Sequence, residues 1–463
     1  MLIINNLISL ILIYYLLQIN YNLSIILILI TIINIAYLLI NKNIKKDYLN
    51  PQNIFILIFL LYSMSSFIKY YNFYLYQHDN SYSLYDFYIY GISIIISLLG
   101  FNYGFNIISY KKIILFNFNQ KIKYINYKKT LLYLLIIIIL LFILNYFLYP
   151  SDFNFSNIIS YKEIAASKRL EWRSDYYSGI KRYIFSELKT ILILNITFLL
   201  YSIYPKWKKL IIVLQLLIII CFIKLGNRGI LIQLICFYIL YNYYIKGKLN
   251  IYFFIILPLI FILLIMIAHA RVTTDIIDMA NISYILLLDN WEILLPTNVG
   301  ELVNPPRSLL NIINAININE LSYLMGSGTI NEFLTFIPKA IFVERPLPMV
   351  ENYIMYFYPL LYDQGKGLAF FLPAFGYWEF GLIGILIEMI LYGAIISYVY
   401  QIFINNKSNY IILLMYNIFL TNFIIFGIRN TLIGNIKTTI MSIIIINLIA
   451  ILSINNKNKS KRF

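Results

Sequence analysis

Charged residues, histidine and cysteine are all scarce in this chain. Charged residues make up 12% of its 463 positions, and it has only two histidines and two cysteines. Because Cys221 and Cys236 both lie inside apolar runs, the sequence predicts neither a disulfide framework nor a zinc site. The sequence also lacks the HExxH, CxxC and GxSxG patterns and a glycine-rich phosphate loop after a strand. We therefore expect a protein that uses no metal and no cofactor.

What the chain does contain is a series of long apolar runs, and 61% of its residues are hydrophobic. A helix of about 17–25 such residues crosses the ~30 Å hydrocarbon layer and satisfies its own backbone hydrogen bonds there. The first run, Leu2 to Leu17, is not followed by a small-residue cleavage site, which favours a retained span over a signal peptide. The runs and polar breaks predict twelve spans, near residues 2–18, 23–40, 52–70, 85–109, 130–149, 183–204, 210–225, 230–245, 249–268, 380–402, 410–428 and 432–453.

Lysines are concentrated in every second short loop between these runs. They lie in residues 42–46, 111–129, 206–209 and 246–248, at Lys407, and in the tail from Lys457. The positive-inside rule makes these segments cytoplasmic, and this orientation explains the net charge of +16 better than nucleic-acid binding does. We predict an all-α polytopic membrane protein with about 12 transmembrane helices, both termini cytoplasmic, and one integral membrane domain over residues 1–463. Residues 150–182 and 270–379 form its middle and large periplasmic loops.

The arginines show the opposite distribution from the lysines. Of nine arginines, only Arg462 lies on the predicted inner side; the others are Arg169, Arg173, Arg182, Arg228, Arg271, Arg307, Arg345 and Arg429. A guanidinium is a planar fork that binds phosphate or carboxylate through two hydrogen bonds, which lysine cannot do. The pattern favours anion binding outside the membrane, and the alternative for each arginine is an ordinary surface or helix-end position.

The large loop contains apolar residues at helical spacing. The segments ISYILLLDNWEILLP and RSLLNIINAI show this pattern. They are predicted either to lie in the membrane interface as amphipathic helices or to pack on one another.

Four segments resemble Wzy-type polymerases, the enzymes that join oligosaccharide repeat units of bacterial O-antigen and capsule. They are LGNRGILIQL, FIPKAIFVERPLP, LPAFGYWEFGLIGILIEMILYG and FGIRNTLIG. The resemblance covers the second half of the chain by motif and the first half only by hydropathy. One departure is that the family often has a glutamate ahead of its Phe-Gly turn, where this chain has Tyr377, and Glu379 stands at a different offset.

The resemblance implies a metal-independent glycosyltransferase in the bacterial inner membrane, acting at its periplasmic face. It would move the growing glycan from undecaprenyl pyrophosphate onto the non-reducing end of a new lipid-linked unit. Its partners would be these lipid-linked glycans and membrane lipids, with a chain-length regulator and a flippase, and no nucleic acid.

Candidate site residues come from the predicted outer side of the membrane. Arg228, between glycines at a span end, is the first candidate for pyrophosphate. The further candidates for pyrophosphate or glycan binding are Arg271, Arg429, Arg345, Lys339 and Arg173. The candidates for a general base are His269, Glu344 and Glu379. Each has a structural alternative as a span-end, ion-paired or solvated residue. Glu388 is expected to face the bundle, and Lys437 to pair with it or with lipid phosphate.

Three other functions remain open at this stage. An O-antigen ligase would have the same architecture and pass the glycan to the lipid A core. A polyprenyl-phosphate-sugar transferase usually carries acids in its first outer loop, where this chain has His78, Asp79 and Asp86. A lipid-linked oligosaccharide flippase, which is not an enzyme, is disfavoured because the chain has no visible internal repeat.

Overall fold

The computed structural model of the protein describes eight segments of the chain and four isolated residues. The segments are residues 49–76, 81–110, 127–148, 189–215, 229–247, 300–337, 341–365 and 367–452, and the isolated residues are 32, 34, 47 and 339. All regular secondary structure in these segments is helical. The predicted spans at 2–18 and 249–268, and nearly all of 23–40, lie outside the described residues.

Residues 208–215 are helical, and twelve further α-helices have defined bounds. They are α1 (Pro51–Tyr76), α2 (Leu84–Tyr110), α3 (Tyr127–Leu148), α4 (Lys189–Ile203), α5 (Gly229–Leu240), α6 (Gly300–Asn317), α7 (Ser327–Leu334), α8 (Met349–Phe357), α9 (Pro359–Asp363), α10 (Leu372–Asn405), α11 (Tyr410–Phe419) and α12 (Leu432–Leu452). Two of them continue into π-helical turns, α5 through Tyr241–Ile245 and α11 through Leu420–Ile425. A short 3-10 turn, Gly427–Arg429, connects the second of these turns to α12.

Three described helices are long and apolar enough to cross a membrane, and the chain is therefore a helical membrane protein. These stretches are Pro51–Tyr71, Leu84–Ile108 and Leu372–Asn405. Shorter apolar helices cover Ile193–Ile203, Leu231–Ile245, Tyr410–Ile425 and Leu432–Ile444. The spans predicted at 52–70 and 85–109 agree closely with α1 and α2. The total of twelve spans and the side of each terminus stay predictions.

Polar contacts bring together three connections at one end of the bundle. Oδ2 of Asp47, just ahead of α1, accepts hydrogen bonds from the Tyr244 hydroxyl at 2.7 Å and from the Tyr400 hydroxyl. Asp47, Tyr244 and Tyr400 each lie near a lysine-rich segment that the sequence assigns to one side of the membrane. Their contacts therefore bring the residues that flank those segments together. We call this the lysine end.

Residues 300–371 cover the other end of the bundle, which we call the capped end. Helix α6 packs against α1, α2 and α10. Asp86, in the first turn of α2, accepts hydrogen bonds from Asn314 at 3.0 Å and from Asn317 at 2.6 Å. The Ser308 hydroxyl accepts a bond from the Phe371 backbone N–H at 3.0 Å. These buried contacts fix α6 to the start of α2 and to the entry of α10.

Packing of α6 decides between the two alternatives for the RSLLNIINAI segment. Leu309, Leu310, Ile312 and Ile313 are completely buried. Because this apolar face is covered by α1, α2 and α10, α6 packs within the protein and has no apolar stripe left for the membrane interface. Its partners are the spanning helices together with the loop residues Tyr353 and Tyr358, whose hydroxyls accept hydrogen bonds from Asn311. The ISYILLLDNWEILLP segment lies outside the described residues.

Close contact between α2 and α10 depends on glycines. A Cβ added at Gly104 would overlap the backbone of Ile390, and one added at Gly393 would overlap the backbone of Phe101. Gly100 and Gly104 form a GxxxG pattern, which allows two membrane helices to approach closely. The four-residue spacing is visible in the sequence alone and is a usable signal for this contact.

Alanine at Gly104 is expected to destabilise the α2–α10 contact more than alanine at Gly100. A Cβ at Gly104 would overlap the Ile390 backbone, whereas a Cβ at Gly100 would come only to 3.1 Å from the Leu386 carbonyl oxygen. Overpacking of this kind costs about 1–3 kcal/mol. Thermal unfolding of the purified variants in detergent measures the order. A Gly100→Ala protein that unfolds at a lower temperature than Gly104→Ala would contradict this packing.

Candidate functional site

A sharp reversal at the start of α10 shapes the site. Phe380 and Gly381 have non-helical backbone angles, and Gly381 has φ of +63°, where a side chain is strained. Residues eight apart in a straight helix are separated by about 12 Å. Gly376 and Gly384 are instead so close that a Cβ on either would overlap the backbone of the other. Residues 372–379 therefore fold back on the rest of α10 as a helical hairpin, and the span predicted from residue 380 begins at its turn.

Two buried glutamates hold this hairpin. Glu388 is 6% exposed, and its Oε2 accepts a hydrogen bond from the Gly376 N–H at 2.8 Å. Its Oε1 is buried with no hydrogen-bond partner within the part of the chain that the structure describes. Glu379 is 3% exposed and accepts bonds from the Gly326 N–H at 2.6 Å and the Thr329 hydroxyl at 3.1 Å. Glu379 thus ties the hairpin to the first turn of α7.

Helix α7 buries its polar side and exposes its apolar side. Gly328, Glu332 and Thr335 lie on the buried side, whereas Ile330 and Phe333 are exposed. A soluble helix shows the reverse arrangement. Exposed apolar residues continue after α7 at Phe336, Ile337, Ile341, Phe342 and Val343. We call this surface, from Ile330 to Val343, the apolar strip, and a strip of this kind marks contact with lipid or with an apolar ligand.

Glu332 is the third buried glutamate of this site, and the sequence did not predict it. It is 2% exposed, and its Oε1 accepts a hydrogen bond from the Met349 N–H at 2.8 Å. Burial raises the pKa of Glu332, and the Met349 N–H and the Lys437 charge oppose that rise. The available signal was the one acid in the mostly apolar INEFLTFI segment. A buried carboxyl with a raised pKa is suited to proton transfer.

Two cations meet at the end of α7. The carbonyl oxygen of Thr335 accepts a hydrogen bond from Lys437 Nζ at 2.5 Å and another from Arg345 Nη1 at 3.0 Å. Arg345 Nη1 also donates to the Ile337 carbonyl at 3.0 Å. Burial lowers the pKa of Arg345, and the Glu351 charge opposes the shift. The Thr335 carbonyl therefore brings together two cations, of which Lys437 also interacts with the Glu332 charge and Arg345 with the Glu351 charge.

The cations lie directly beside the apolar strip. Lys437 Nζ is 5.8 Å from the ring centroid of Phe336, and Phe336 is exposed. Arg345 follows Phe342 and Val343, which are also exposed, by two or three residues. The surface therefore offers positive charge next to apolar area, which matches a ligand with a charged head and a hydrocarbon chain.

The predicted site residues fall into two groups, those that the structure describes and those that it does not. Arg345 and Glu379 belong to the assembly just described. Glu344 is exposed and makes no hydrogen bond to another described residue, and Lys339 is half-buried on the same segment. Arg429 lies in the turn before α12, where its carbonyl accepts a bond from the Phe370 N–H at 3.2 Å. Four predicted residues lie outside the described parts of the chain: His269, Arg228, Arg271 and Arg173.

Lys437 does not pair with Glu388, which was one of its two predicted partners. It donates to Thr335, whereas Glu388 accepts from Gly376 and its other oxygen has no partner within the described segments. The Lys437–Glu388 pair is therefore not formed. The prediction that Glu388 faces the bundle is correct, since the side chain is buried.

Comparison with known families covers nearly the whole chain. A family described as O-antigen polysaccharide polymerase Wzy matches residues 1–461. Comparisons with curated proteins and with solved structures give no match.

Proposed function

The chain belongs to the O-antigen polysaccharide polymerase Wzy family, and from that premise we propose the reaction that it performs. It transfers the growing glycan from undecaprenyl pyrophosphate to the non-reducing end of a new lipid-linked repeat unit. The reaction takes place at the periplasmic face of the inner membrane, which corresponds to the capped end. A chain-length regulator and a flippase are the protein partners proposed with it.

The observation that carries this proposal is the convergence of Arg345 and Lys437 beside the apolar strip. A polyprenyl pyrophosphate has a hydrocarbon chain and a compact group of negative charges. The cations suit the pyrophosphate and the apolar strip suits the first isoprene units. Exposed apolar residues also follow Lys128 and Lys129 on α3, but the lysine distribution assigns that pair to the predicted cytoplasmic side.

In the transfer step, an acceptor hydroxyl oxygen forms a bond to the anomeric carbon of the donor glycan. The bond between that carbon and the pyrophosphate oxygen breaks, and its electron pair leaves with undecaprenyl pyrophosphate. Arg345 and Lys437 stabilise the negative charge that grows on the leaving group, which removes the need for a metal. The hydroxyl proton passes to a carboxylate, and we assign this role to Glu332, which is buried, has a raised pKa and lies on the same helix as the apolar strip.

Glycan laddering in a deletion strain tests this function. The deletion is expected to leave a single repeat unit on the lipid core, and the wild-type gene is expected to restore the ladder. The Arg345→Gln, Lys437→Gln double variant, at equal membrane levels, is expected to lower polymer by about 100-fold, as removal of transition-state charge stabilisation does. Lys407→Gln changes an exposed lysine at the lysine end and is expected to leave a full ladder.

Other results would change the assignment in defined ways. A deletion with no repeat unit on the core indicates a ligase or a flippase instead. A full ladder from the double variant would leave the family assignment unchanged but would show that Arg345 and Lys437 are not part of the site. In that case Arg228→Ala in the same strain tests Arg228, the first candidate for pyrophosphate binding from the sequence.

A further inference from the structure

Two lysines at the lysine end share one tyrosine ring. Lys208 Nζ lies 5.6 Å from the ring centroid of Tyr241, and Lys246 Nζ lies 5.5 Å from the same centroid. Lys208 Nζ is also 5.0 Å from the ring centroid of Tyr201. The rings of Tyr201 and Tyr241 meet edge to face, with their centroids 5.4 Å apart. Two positive charges from different connections of the chain therefore stand beside one pair of aromatic rings.

The π-helical turn after α5 is what brings Lys246 to this ring. Residues five apart in an α-helix point in directions that differ by about 140°, so Tyr241 and Lys246 would lie on different faces of a regular helix. The Lys246 N–H instead donates to the Tyr241 carbonyl oxygen at 3.3 Å. This wider turn carries Lys246 round to the side of Tyr241. Such turns are rare and are frequently found at functional sites.

A buried glutamine fixes the three helical segments that carry these groups. Gln215, at the end of the helical residues 208–215, donates to the Thr197 hydroxyl of α4 at 3.2 Å. It also accepts a hydrogen bond from the Tyr238 hydroxyl of α5. The backbone that presents Lys208 and Lys246 is thus in place before any ligand arrives, which lowers the entropic cost of binding.

The charge around the two lysines is positive. Asp47 is the only acid in or beside the lysine-rich segments, and its Oδ2 accepts hydrogen bonds from the Tyr244 and Tyr400 hydroxyls. In the part of the chain that the structure describes, no acid forms an ion pair with Lys208 or Lys246. Partial burial and the Lys208 charge lower the pKa of Lys246, so the two ammonium groups repel each other. An anion that contacts both would relieve this repulsion.

An exposed apolar face adjoins the two lysines. Leu210, Val213 and Leu214 are all exposed on the helical residues 208–215. Their i, i+3, i+4 spacing places them on one face of that helix. Trp207, immediately before the helix, is also exposed, and tryptophan is enriched where membrane headgroups meet hydrocarbon. The surface therefore places positive charge at the end of a face suited to an acyl chain.

We propose that Lys208 and Lys246 bind the phosphate of an anionic phospholipid at the lysine end, with an acyl chain along the exposed face of residues 208–215. The ligand is negative because two ammonium groups face it, and it carries hydrocarbon because an exposed apolar face adjoins them. The bound lipid would connect the start of this helix to the π-helical turn after α5. This site is independent of the proposed glycan transfer and lies at the other end of the bundle from the candidate functional site.

Quenching of Trp207 fluorescence by brominated lipids tests the site in the purified full-length protein in a neutral detergent. The probes are phosphatidylglycerol and phosphatidylcholine with the same brominated acyl chains. Trp207→Phe identifies the part of the signal that comes from Trp207. In the wild type, phosphatidylglycerol is expected to quench Trp207 at a concentration about tenfold lower than phosphatidylcholine, since its headgroup has a net negative charge.

The lysine variants show whether this preference comes from the proposed pair. The Lys208→Gln, Lys246→Gln double variant is expected to lose the preference, because it removes both charges that face the phosphate. Lys246→Arg keeps the charge and is expected to keep the preference. Lys407→Gln, which changes an exposed lysine at the same end, is the matched control and is also expected to keep it.

Three results would overturn the site. The first is equal quenching by the two lipids in the wild type, which would mean contact through acyl chains alone. The second is an unchanged preference in the double variant. Because Lys246 is exposed, Lys246→Gln alone keeps this comparison valid if the double variant does not fold, and an unchanged preference there has the same meaning. The third is displacement of phosphatidylglycerol by inorganic phosphate, which would assign the lysines to a free anion.

Discussion

Gly384→Ala is expected to abolish polymer synthesis and to lower the amount of folded protein in the membrane. Its Cβ would occupy the position of the Gly376 carbonyl, which is backbone and cannot rotate away. The hairpin would have to open, which separates the Gly376 N–H from Glu388 and moves Glu379 relative to α7. We expect a cost of about 3 kcal/mol, at the upper end for overpacking. Glycan laddering together with thermal unfolding in detergent measures both effects.

Gly247→Ala is the matched control for this substitution. Gly247 has a positive φ of 67°, but a Cβ there would have nothing within 4 Å. Its alanine variant therefore carries backbone strain of about 1–2 kcal/mol without a collision, and we expect a full ladder. A full ladder from Gly384→Ala as well would show that Gly376 and Gly384 are not in contact and that α10 has no hairpin.

Glu332→Gln is expected to lower polymerisation by about 100-fold or more, the range that a positioned general base contributes. Glutamine keeps the size of the side chain and can still accept the Met349 N–H bond through its amide oxygen. The fold is therefore expected to persist while proton transfer is lost. Initial rates of polymer formation in membrane vesicles measure the effect, with Glu344→Gln as the control because Glu344 is exposed.

The pH dependence gives Glu332 a second, independent signature. Its pKa is raised above the ordinary value of 4.5 because it is buried, so the carboxylate forms only at a higher pH than in an exposed glutamate. Wild-type activity should rise with pH through this raised pKa. The free energy of unfolding should change in the opposite sense and fall between pH 4.5 and the raised pKa, since ionisation is disfavoured in the folded state.

Glu332→Gln is expected to show neither of these dependences on pH. An active Glu332→Gln with an inactive Glu344→Gln would return the role of base to the candidate from the sequence. If the acid limb of the wild-type pH–activity profile is centred at the ordinary carboxyl pKa, Glu332 is not the general base.

The sequence by itself determined the class of the protein and the positions of those long spans that the structure describes. Hydropathy is a local property, because a helix in lipid satisfies its own backbone and needs only a continuous apolar run. Predicted spans such as 52–70 and 85–109 therefore agree with the structure to within a few residues at most ends. Four short segments, around Arg228, Arg345, Glu379 and Arg429, together with the loop placement indicated the family, which matches residues 1–461.

Only the tertiary structure decided which polar residues meet. Lys437 and Arg345 are 92 positions apart in the chain, yet both donate to Thr335. Glu332, which is buried against Met349, is the clearest example. It lies on the buried side of α7, and that side is polar, whereas a helix of a soluble protein buries its apolar side. Such contacts depend on how helices pack and on where α10 reverses at Gly381. The GxxxG spacing and the Phe-Gly turn are local signals for these two features, but neither identifies which polar side chains then meet. The sequence therefore identified the kind of protein, and packing decided the composition of the candidate site.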